Sequence, residues 1–362
     1  MCKYTYKPSA YAHCADRKKY DQPQCSSYQK SETRKPHSNK EEKMNKKIAA
    51  TLITGIMVLS SFGTMNVMAD DLFLVTGGPM GTYYAVGGAM KDVLNPVLEE
   101  SKLNPEASGA SRANLEMIEE GDAQLATVQN DVMYYAYTGT NLFEGEDPYR
   151  NFSAVAGLYD EMIQIVTCDE SIKSVSDLAG KTVSVGDEGS GVEFNVRQIL
   201  EAYGLSFSDI TVVNGSFSEA AYGMQDGSID AAFIVAGAPT AAIEELAETS
   251  RMKLIPLDEE HRTALQGNYD FYTDSVIPAG TYVGVDEDVS TVSVRAALVA
   301  SNEVGESVVY EFVKALFDNK DALSEMNAKF EFLNPEDAVK GMDVPFHAGA
   351  KKYFEEQGIT VE

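Results

Sequence analysis

The sequence predicts an α/β fold divided into two lobes. Short apolar runs alternate with helix-length amphipathic segments, which is the pattern of strands and helices in a largely parallel sheet. Several of the runs end in turns rich in glycine and hydroxyl side chains. About 290 residues follow a basic, partly apolar head, and this length suggests roughly two domains.

Apolar runs bounded by turn residues mark the predicted strands. In the first half of the chain they cover residues 72–75, 123–128, 152–159 and 162–167. In the second half they cover residues 182–186, 210–213, 231–235 and 252–256. Extended segments are expected at residues 271–277, 282–285 and 294–300. Helices are expected at residues 306–317, 320–329 and 349–357.

The C-terminal segment has too few strands to form a domain by itself. We therefore expect it to complete the first lobe, formed by residues 70–160 and 270–362, with residues 161–269 as the second lobe. The chain then crosses between the lobes at least twice. Crossing segments of this kind form a hinge, and closure around a ligand is the motion that a hinge permits.

Residues 44–69 have the features of a secretory signal peptide. A basic start at Lys46 precedes a mostly apolar run over residues 48–62, and the small residue Ala69 lies before Asp70. The run is short for a membrane span. Because Asp70 and not Cys follows the cleavage site, lipoprotein attachment is not available. We expect an exported, soluble protein of the periplasm or another extracytoplasmic space.

The first 43 residues are polar, basic and without periodicity. A signal peptide belongs at the N-terminus, and codons for residues 40–43 can form a purine-rich ribosome-binding site before Met44. We hypothesise that translation starts at Met44 and that residues 1–43 are leader from a misassigned start. The alternative is a genuine disordered extension.

The charge of the chain is unevenly distributed. The whole sequence has 29 basic and 56 acidic side chains, a net charge of −27. Residues 1–69 hold 12 basic and 5 acidic side chains, so residues 70–362 hold 17 and 51, a net charge of −34. Nonspecific nucleic-acid binding and anchoring on anionic lipid both need clustered Lys and Arg, so the acidic body argues against them.

Catalytic and metal-binding patterns are scarce in residues 70–362. That part has two histidines, His261 and His347, and one cysteine, Cys168, without the spacing of a zinc site. Ser190 lacks the flanking glycines of a nucleophile elbow, and no phosphate loop or dinucleotide fingerprint is present. We expect no metal, no cofactor and no enzyme activity. An exported enzyme using Asp131 and Glu161 as an acid–base pair is kept as an alternative.

Four predicted strand-to-helix junctions carry hydroxyls, amides and glycines, in residues 76–84, 108–114, 129–131 and 189–191. The N-terminus of a helix favours an anion, and open α/β sheets bind ligands beyond the carboxyl ends of their strands. The alternative is that the hydroxyls are helix caps only. The basic side chains that can clamp an anion are Arg112, Arg150 and Arg197.

Six segments resemble one family in order and spacing: TGGPMGTYYAVG at 76–87, SGASRAN at 108–114, VQND at 128–131, VSVGDEGSG at 183–191, AGAPT at 236–240 and PFHAGA at 345–350. They are similar to the TAXI-type solute-binding subunits of TRAP transporters, over residues 72–358. The resemblance implies a two-lobed periplasmic-binding-protein fold, type II-like, with hinge-crossing segments. It also implies capture of a small organic anion, such as glutamate or 2-oxoglutarate, and delivery to a membrane permease driven by an ion gradient.

The resemblance carries a set of expected ligand-binding residues onto this sequence. They are Gly78, Thr82, Tyr83, Ser108, Ser111, Asn114, Asn130, Asp131, Ser190, Gly191, Pro239 and Thr240. The sequence departs from the family pattern at Ala348, where proline is expected, and at Ala110 and Arg112 beside Ser111. A ligand-sensing protein that feeds a signalling receptor is an alternative with the same fold. The neighbouring genes separate the two, since a permease gene favours transport and a histidine kinase gene favours sensing.

Overall fold

A computed structural model describes residues 70–361 of the chain. The predicted leader and signal peptide lie outside the described residues. The strands are β1 (Asp70–Val75), β2 (Ser101–Glu106), β3 (Leu125–Gln129), β4 (Phe152–Thr167), β5 (Thr182–Ser184), β6 (Thr211–Val213), β7 (Ala231–Ala236), β8 (Lys253–Ile255), β9 (Thr273–Ile277) and β10 (Val289–Ser301). The helices are α1 (Thr82–Leu94), α2 (Ser111–Glu120), α3 (Asn130–Thr138), α4 (Gly191–Ala202), α5 (Phe217–Asp226), α6 (Ala241–Thr249), α7 (Glu259–Asn268), α8 (Glu306–Asp318), α9 (Lys320–Met326), α10 (Pro335–Ala338) and α11 (Ala348–Glu356).

All the strands of the described chain belong to one sheet. Its order is β2-β1-β3-β10-β4-β7-β5-β6, with β8 paired to β4 and β9 paired to β10. The outer strands on each side pair in parallel, whereas β4 and β10 pair antiparallel to each other and to their neighbours. The two long antiparallel strands therefore form the centre of the sheet.

Apolar side chains pack in separate clusters on the two sides of this centre. One cluster joins α1, α8 and α11 to β1 and the first half of β4, and it contains Leu74, Phe312 and Phe354, all fully buried. A second joins α4 to β5, β7 and the second half of β4 around Ile199 and Phe233. We name the two sides by their residues: lobe 1 is residues 70–160 and 295–361, and lobe 2 is residues 161–294.

The predicted boundary near residue 270 does not match this packing. Tyr272, Ile277 and Val292 all pack with clusters of lobe 2. The chain therefore returns to lobe 1 along β10, because the extended segment assigned to the first lobe pairs with β10 as β9. As limits of independently folding domains, the divisions stay a prediction, since β4 and β10 run through both lobes.

Three elements differ from the sequence prediction. The runs 152–159 and 162–167 are one strand, because Asp160 and Glu161 continue the pairing of β4 with β10. The strand β2 was not predicted; it contains Pro105 and pairs with β1 alone at the edge of the sheet, where proline is tolerated. Residues 282–285 form a turn rather than a strand, with Gly284 at φ +86°.

The close packing of α11 on α8 gives a test of this fold. A Cβ on Gly349 would lie 2.3 Å from the carbonyl oxygen of Glu306 and 2.6 Å from the amide nitrogen of Tyr310, both backbone atoms. We expect Gly349→Ala to lower the free energy of unfolding by about 1–3 kcal/mol, because the backbones must separate. Urea denaturation measures the change.

Gly88→Ala is the matched control, since a Cβ on this helical glycine meets no atom within 4 Å. It should raise stability by up to about 1 kcal/mol through helix propensity. Equal stabilities for the two variants would contradict the described packing of α11.

Candidate ligand-binding cavity between the lobes

A cavity of about 50 Å³ lies between the two lobes. Its wall is formed by the N-terminal ends of α1 and α2 from lobe 1 and of α4 and α5 from lobe 2, together with the ends of β3 and β7 and with Glu161 of β4. The parallel strands lead into helices at this edge, so the topology itself brings the four helix starts together.

Six of the twelve expected ligand-binding residues lie on the cavity wall. They are Gly78, Thr82, Tyr83, Ser111, Ser190 and Gly191. The other six, Ser108, Asn114, Asn130, Asp131, Pro239 and Thr240, are not on the wall. As ligand contacts, the six wall residues stay predictions.

The helix starts give the cavity a positive electrostatic character without basic side chains. The first N–H groups of a helix have no intrahelical acceptor, and the helix dipole adds to their positive potential. Ser190 caps α4 by accepting from the amide of Glu193, and Ser216 caps α5 in the same way with Glu219. Thr82 and Ser111 do not cap α1 and α2. The caps of α4 and α5 each use one amide of the first turn, so further N–H groups at the helix starts of both lobes are available to an anion.

Two acidic side chains, Glu161 and Asp187, are the charged groups of the wall as described in residues 70–361. Glu161 is 2% exposed and accepts a hydrogen bond of 2.6 Å at Oε2 from the Tyr83 hydroxyl. Burial raises the pKa of Glu161 well above its ordinary value. Burial also raises the pKa of Asp187, with a smaller contribution from Glu219. Burial in the cavity wall therefore favours the neutral form of Glu161.

The three arginines proposed as anion clamps do not line the cavity. Arg112 pairs with two glutamates and lies over the Phe143 ring. Arg150 and Arg197 stack on tyrosine and phenylalanine rings, each 3.9 Å from the ring centroid. Cation–π contacts and partly exposed ion pairs account for all three.

Ser108 and Asn114 hold the backbone of lobe 1 rather than face the cavity. The Asn114 amide donates to the carbonyl oxygens of Thr76 (2.6 Å) and Thr127 (2.7 Å), and its oxygen accepts from Ser108. Asn114 is fully buried. Its hydrogen-bonding groups therefore fix the ends of β1 and β3 to the start of α2.

Asn130 and Asp131 also have structural partners. Asn130 accepts from the amide of Arg295 at 3.0 Å and donates to the carbonyl oxygen of Gly341. Asp131, in lobe 1, accepts at 3.0 Å from the side-chain amide of Asn195 in lobe 2. Asn195 donates in addition to the Tyr272 hydroxyl at 2.9 Å. The carboxyl of Asp131 thus joins the lobes beside the cavity.

The turn that contains Pro239 and Thr240 makes a second junction between the lobes. Thr82 of lobe 1 donates to the carbonyl oxygen of Gly237 at 3.1 Å, and Lys329 of lobe 1 donates to that of Ala238. Burial lowers the pKa of Lys329 to about 8. Pro239 is exposed, and Thr240 accepts from Gln164 inside lobe 2. The backbone carbonyls of Gly237 and Ala238 therefore attach this turn of lobe 2 to lobe 1.

Gln129 of lobe 1 and Gly191 of lobe 2 are in close contact at the cavity wall. A Cβ on Gly191 would lie 2.0 Å from Oε1 of Gln129. Gln129 is 2% exposed, its backbone N–H donates to the Ser111 hydroxyl at 3.0 Å, and its side-chain Oε1 has no hydrogen-bond partner. Glycine at this position is what allows β3 of lobe 1 to meet α4 of lobe 2.

Sequence reasoning omitted several wall residues from the expected ligand-binding set. They include Gln129, Glu161, Asp187, Ser216 and Phe217. Ser216 is preceded by a short apolar run and followed three residues later by Glu219, which is the sequence pattern of a capping box and marks a fifth strand-to-helix junction. Glu161 carries no comparable local signal.

The acid–base pair considered for an enzyme is not assembled at the cavity. Glu161 is on the wall and is bonded to Tyr83, whereas Asp131 is off the wall and is bonded to Asn195 and to the amide of Val132. The two carboxyls therefore do not face a common substrate position.

Comparison with known protein families identifies the family of this chain. A family model described as the NMT1-like family matches residues 74–358, which is most of the chain and includes both lobes. The chain belongs to the NMT1-like family. The two-lobed α/β architecture of this NMT1-like protein confirms the predicted periplasmic-binding-protein fold.

Several solved structures are similar to the NMT1-like chain at low identity. The alkanesulfonate-binding protein SsuA from Xanthomonas axonopodis pv. citri, bound to MOPS, is 15% identical over 79% of this chain and 90% of its own, with a TM-score of 0.45. PhnD1 from Prochlorococcus marinus, in complex with methylphosphonate, is 12% identical over 72% and 90%, with a TM-score of 0.48. A putative L-cystine ABC transporter from Listeria monocytogenes is 15% identical over 72% and 96%, with a TM-score of 0.46. The family assignment rests on the sequence match and not on these structures.

Among the helices of residues 70–361, none has the length and apolar character that a membrane span requires. Within the same residues, no group of three or more His, Cys, Asp or Glu side chains has an arrangement that could hold a metal ion.

The contact of Gln129 with Gly191 predicts how the lobes respond to a single methyl group. Gly191→Ala should hold the lobes apart, because its Cβ would overlap the Gln129 side chain. If the closed form falls from most of the population to about a tenth, the apparent affinity for a ligand falls about tenfold. Small-angle scattering should show a larger radius of gyration, with Gly88→Ala as the control. An unchanged radius would contradict the contact.

The buried carboxyl of Asp131 predicts a dependence of stability on pH. Burial raises the pKa of Asp131 to about 6. Between about pH 4 and pH 6 the folded protein therefore keeps a proton that the unfolded chain has lost, so stability falls as pH rises through this window. The contribution is about 3 kcal/mol at 1.36 kcal/mol for each pH unit.

Asp131→Asn removes the titration, so the fall in stability between pH 4 and pH 7 should be smaller than in the parent by that amount. Urea denaturation at several pH values measures it, with the exposed Asp122→Asn as a control for loss of one carboxylate. Parallel curves for the parent and Asp131→Asn would contradict the raised pKa.

Proposed function

We propose that this protein is an exported, noncatalytic solute-binding protein of the TAXI type, which captures a small organic anion and delivers it to a TRAP-type membrane permease. Membership of the NMT1-like family and the two-lobed fold support a binding role. The six segments that resemble TAXI-type subunits support the narrower assignment. The signal-peptide pattern of residues 44–69 supports export.

One observation carries the proposal: four helix N-termini from two lobes point into one cavity. Each supplies unpaired N–H groups and the positive end of a dipole, and together they suit a carboxylate. The Ser111 and Ser190 hydroxyls lie at two of these starts, one from each lobe. A ligand that bonds to both lobes stabilises their contact, and this differential binding is what drives closure.

The size of the cavity limits the ligand. A water needs roughly 10–15 Å³ of the same measure, so about 50 Å³ corresponds to roughly three to five water positions. Glutamate and 2-oxoglutarate are larger than this, so in this proposal the lobes open further to admit such a solute than they do in this structure. The wall also has apolar side chains, Met80, Val192 and Phe217, which contact the carbon skeleton of a ligand in this proposal.

The hinge strands suit capture and release. The strands β4 and β10 connect the lobes, and the other contacts between the lobes include hydrogen bonds, the contact of Gln129 with Gly191 and a small aromatic group of Tyr134, Tyr135, Phe194 and Phe271. Separation of the lobes therefore leaves most of each core intact. We propose a noncatalytic role because, in the described chain, no histidine lies beside Ser190 or Ser111 on the cavity wall. A second, sensing role has no observation in its favour.

Removal of the two wall hydroxyls tests the site. Ser111→Ala combined with Ser190→Ala should weaken carboxylate binding by about 3 kcal/mol or more, because hydrogen bonds to charged groups contribute about 1.5–3 kcal/mol each. Isothermal titration over a panel of amino acids and dicarboxylates measures affinity. Circular dichroism checks folding, since loss of the Ser190 cap costs about 1 kcal/mol of stability.

Ser206→Ala is the matched control, because Ser206 caps a short helical turn in an exposed position outside the cavity. It should bind as the parent does. No heat with any carboxylate for the parent protein would contradict the proposed ligand class, and an unchanged affinity in the double variant would contradict the proposed site.

A further inference from the structure

Glu161 is a buried carboxyl on the cavity wall without a cation beside it. The residue is 2% exposed and shares the wall with apolar residues, among them Val192, Val235 and Ala236. In the described chain no Lys or Arg is on this wall, and its other acidic side chain is Asp187 of lobe 2. An ionised carboxylate in such a place is costly, because burial removes its hydration and no opposite charge replaces it. The site therefore favours Glu161 as the carboxylic acid.

The ionisable groups around Glu161 favour the same form. Burial raises the pKa of Glu161 well above its ordinary value, and the like charges of Asp131 and Asp160 raise it further, whereas the hydrogen bond from Tyr83 opposes the rise. The hydroxyls of Tyr83 and Tyr159 stay neutral, since burial raises the pKa of each well above its ordinary value. None of these groups supplies a positive charge to Glu161.

Cations on the elements that pack against β4 have other partners. Arg295 of β10 forms ion pairs with two aspartates. Lys329, which follows α9, donates to the carbonyl oxygen of Ala238. Neither side chain is on the cavity wall. The acid form of Glu161 thus meets no cation that would ionise it.

The two oxygens of the Glu161 carboxyl have different surroundings. Oε2 accepts a hydrogen bond of 2.6 Å from the Tyr83 hydroxyl. Oε1 has no hydrogen-bond partner in the described chain, and, unlike Oε1 of Gln129, it keeps surface that is accessible to solvent. Since Oε2 is the acceptor for Tyr83, the proton of the acid lies on Oε1. The wall therefore presents an O–H group to the cavity.

A neutral carboxylic acid in an apolar site can donate a hydrogen bond to an anion. Bonds of this kind, from O–H to a charged oxygen, are short and roughly twice as strong as bonds between neutral groups. The helix starts supply N–H donors to the cavity, and Glu161 adds a donor where strands form the wall.

We infer that Glu161 recognises the ligand as an acid: it donates the proton on Oε1 to the bound anion, and the complex keeps that proton. The inference rests on the proposed function and adds a recognition group and a proton to the same site. It also gives the buried carboxyl of β4 a role that the helix starts do not fill.

Binding is then linked to one proton. An anion at Oε1 stabilises the acid, so the pKa of Glu161 rises further in the complex. Affinity should be constant below the pKa that Glu161 has in the unliganded protein. Above that pKa it should fall about tenfold for each pH unit, because the complex must take up a proton from solvent.

Two variants of Glu161 test the role as a donor. Glu161→Gln keeps a donor in its amide, so its affinity at low pH should stay close to that of the parent and should lose the dependence on pH. Glu161→Met has neither donor nor charge and should bind tenfold or more weakly. Isothermal titration uses 2-oxoglutarate and glutamate, or the carboxylate of the panel that binds most tightly, over the pH range in which the charge of the probe is constant.

The sign of the Glu161→Met effect decides between the two forms of the side chain. If Glu161 were a charged carboxylate, its removal would relieve repulsion and raise the affinity for an anion. A Glu161→Met variant that binds as tightly as the parent, or more tightly, would overturn the inference and leave the proposed function intact. Glu188→Gln, an exposed carboxylate off the wall, is the control and should match the parent.

Infrared spectroscopy of the parent protein keeps the test valid if the Glu161 variants fail to fold. At about pH 8, where ordinary carboxyls are ionised, the spectrum should show the carbonyl stretch of a protonated carboxyl, which shifts when the anion binds. Absence of this band both with and without a bound anion would overturn the inference alone. No heat with any carboxylate of the panel would contradict the proposed function as well.

Discussion

The antiparallel pairing of β4 with β10 is the constraint on which the rest of the structure depends. These strands run through both lobes, and every cavity group is attached to one lobe or the other, so their pairing sets the distance across the cavity. The register shifts between Arg295 and Ala297 and again between Leu298 and Val299. Such irregularities bend a strand pair and raise its twist. Gly157 lies opposite, and only its missing side chain leaves room for Arg295, which pairs with Asp160 and Asp337.

Much of the fold could be predicted from the sequence because its signals are local. Apolar runs such as residues 231–236 are buried strands, and capping residues and glycines mark where helices begin and end. The central strand was the exception. Asp160 and Glu161 look like the end of a strand, and what keeps Glu161 buried is Tyr83, 78 residues away in the sequence. A long-range partner of this kind leaves no local pattern, so β4 was divided in two.

The residues of the candidate site could also be predicted from the sequence where local signals determine their positions. Glycines and hydroxyls at helix starts are placed by local geometry, and those on the cavity wall are of this type. The amides and Asp131 lie off the wall, and the sequence does not indicate this because an amide or carboxyl at a junction bonds equally well to a ligand or to other groups of the protein. The side-chain groups of Asn114 bond to two backbone carbonyls and to a serine hydroxyl, and the carboxyl of Asp131 bonds to Asn195 of the other lobe. Whether such a side chain bonds to a ligand or to the protein depends on the relative positions of segments that are distant in the sequence, and local sequence patterns do not give those positions.

The net charge of −34 over residues 70–362 means that an anionic ligand cannot be attracted by the net charge of the protein. The field of so acidic a body opposes the approach of an anion, although salt screens it beyond about 8 Å at physiological ionic strength. An anion meets that repulsion outside the cavity, whereas the neutral form of Glu161, which burial favours, adds no charge to the wall. The attraction of an anion in this protein must therefore be local and dipolar, and the helix starts that line the cavity are the groups that can supply it.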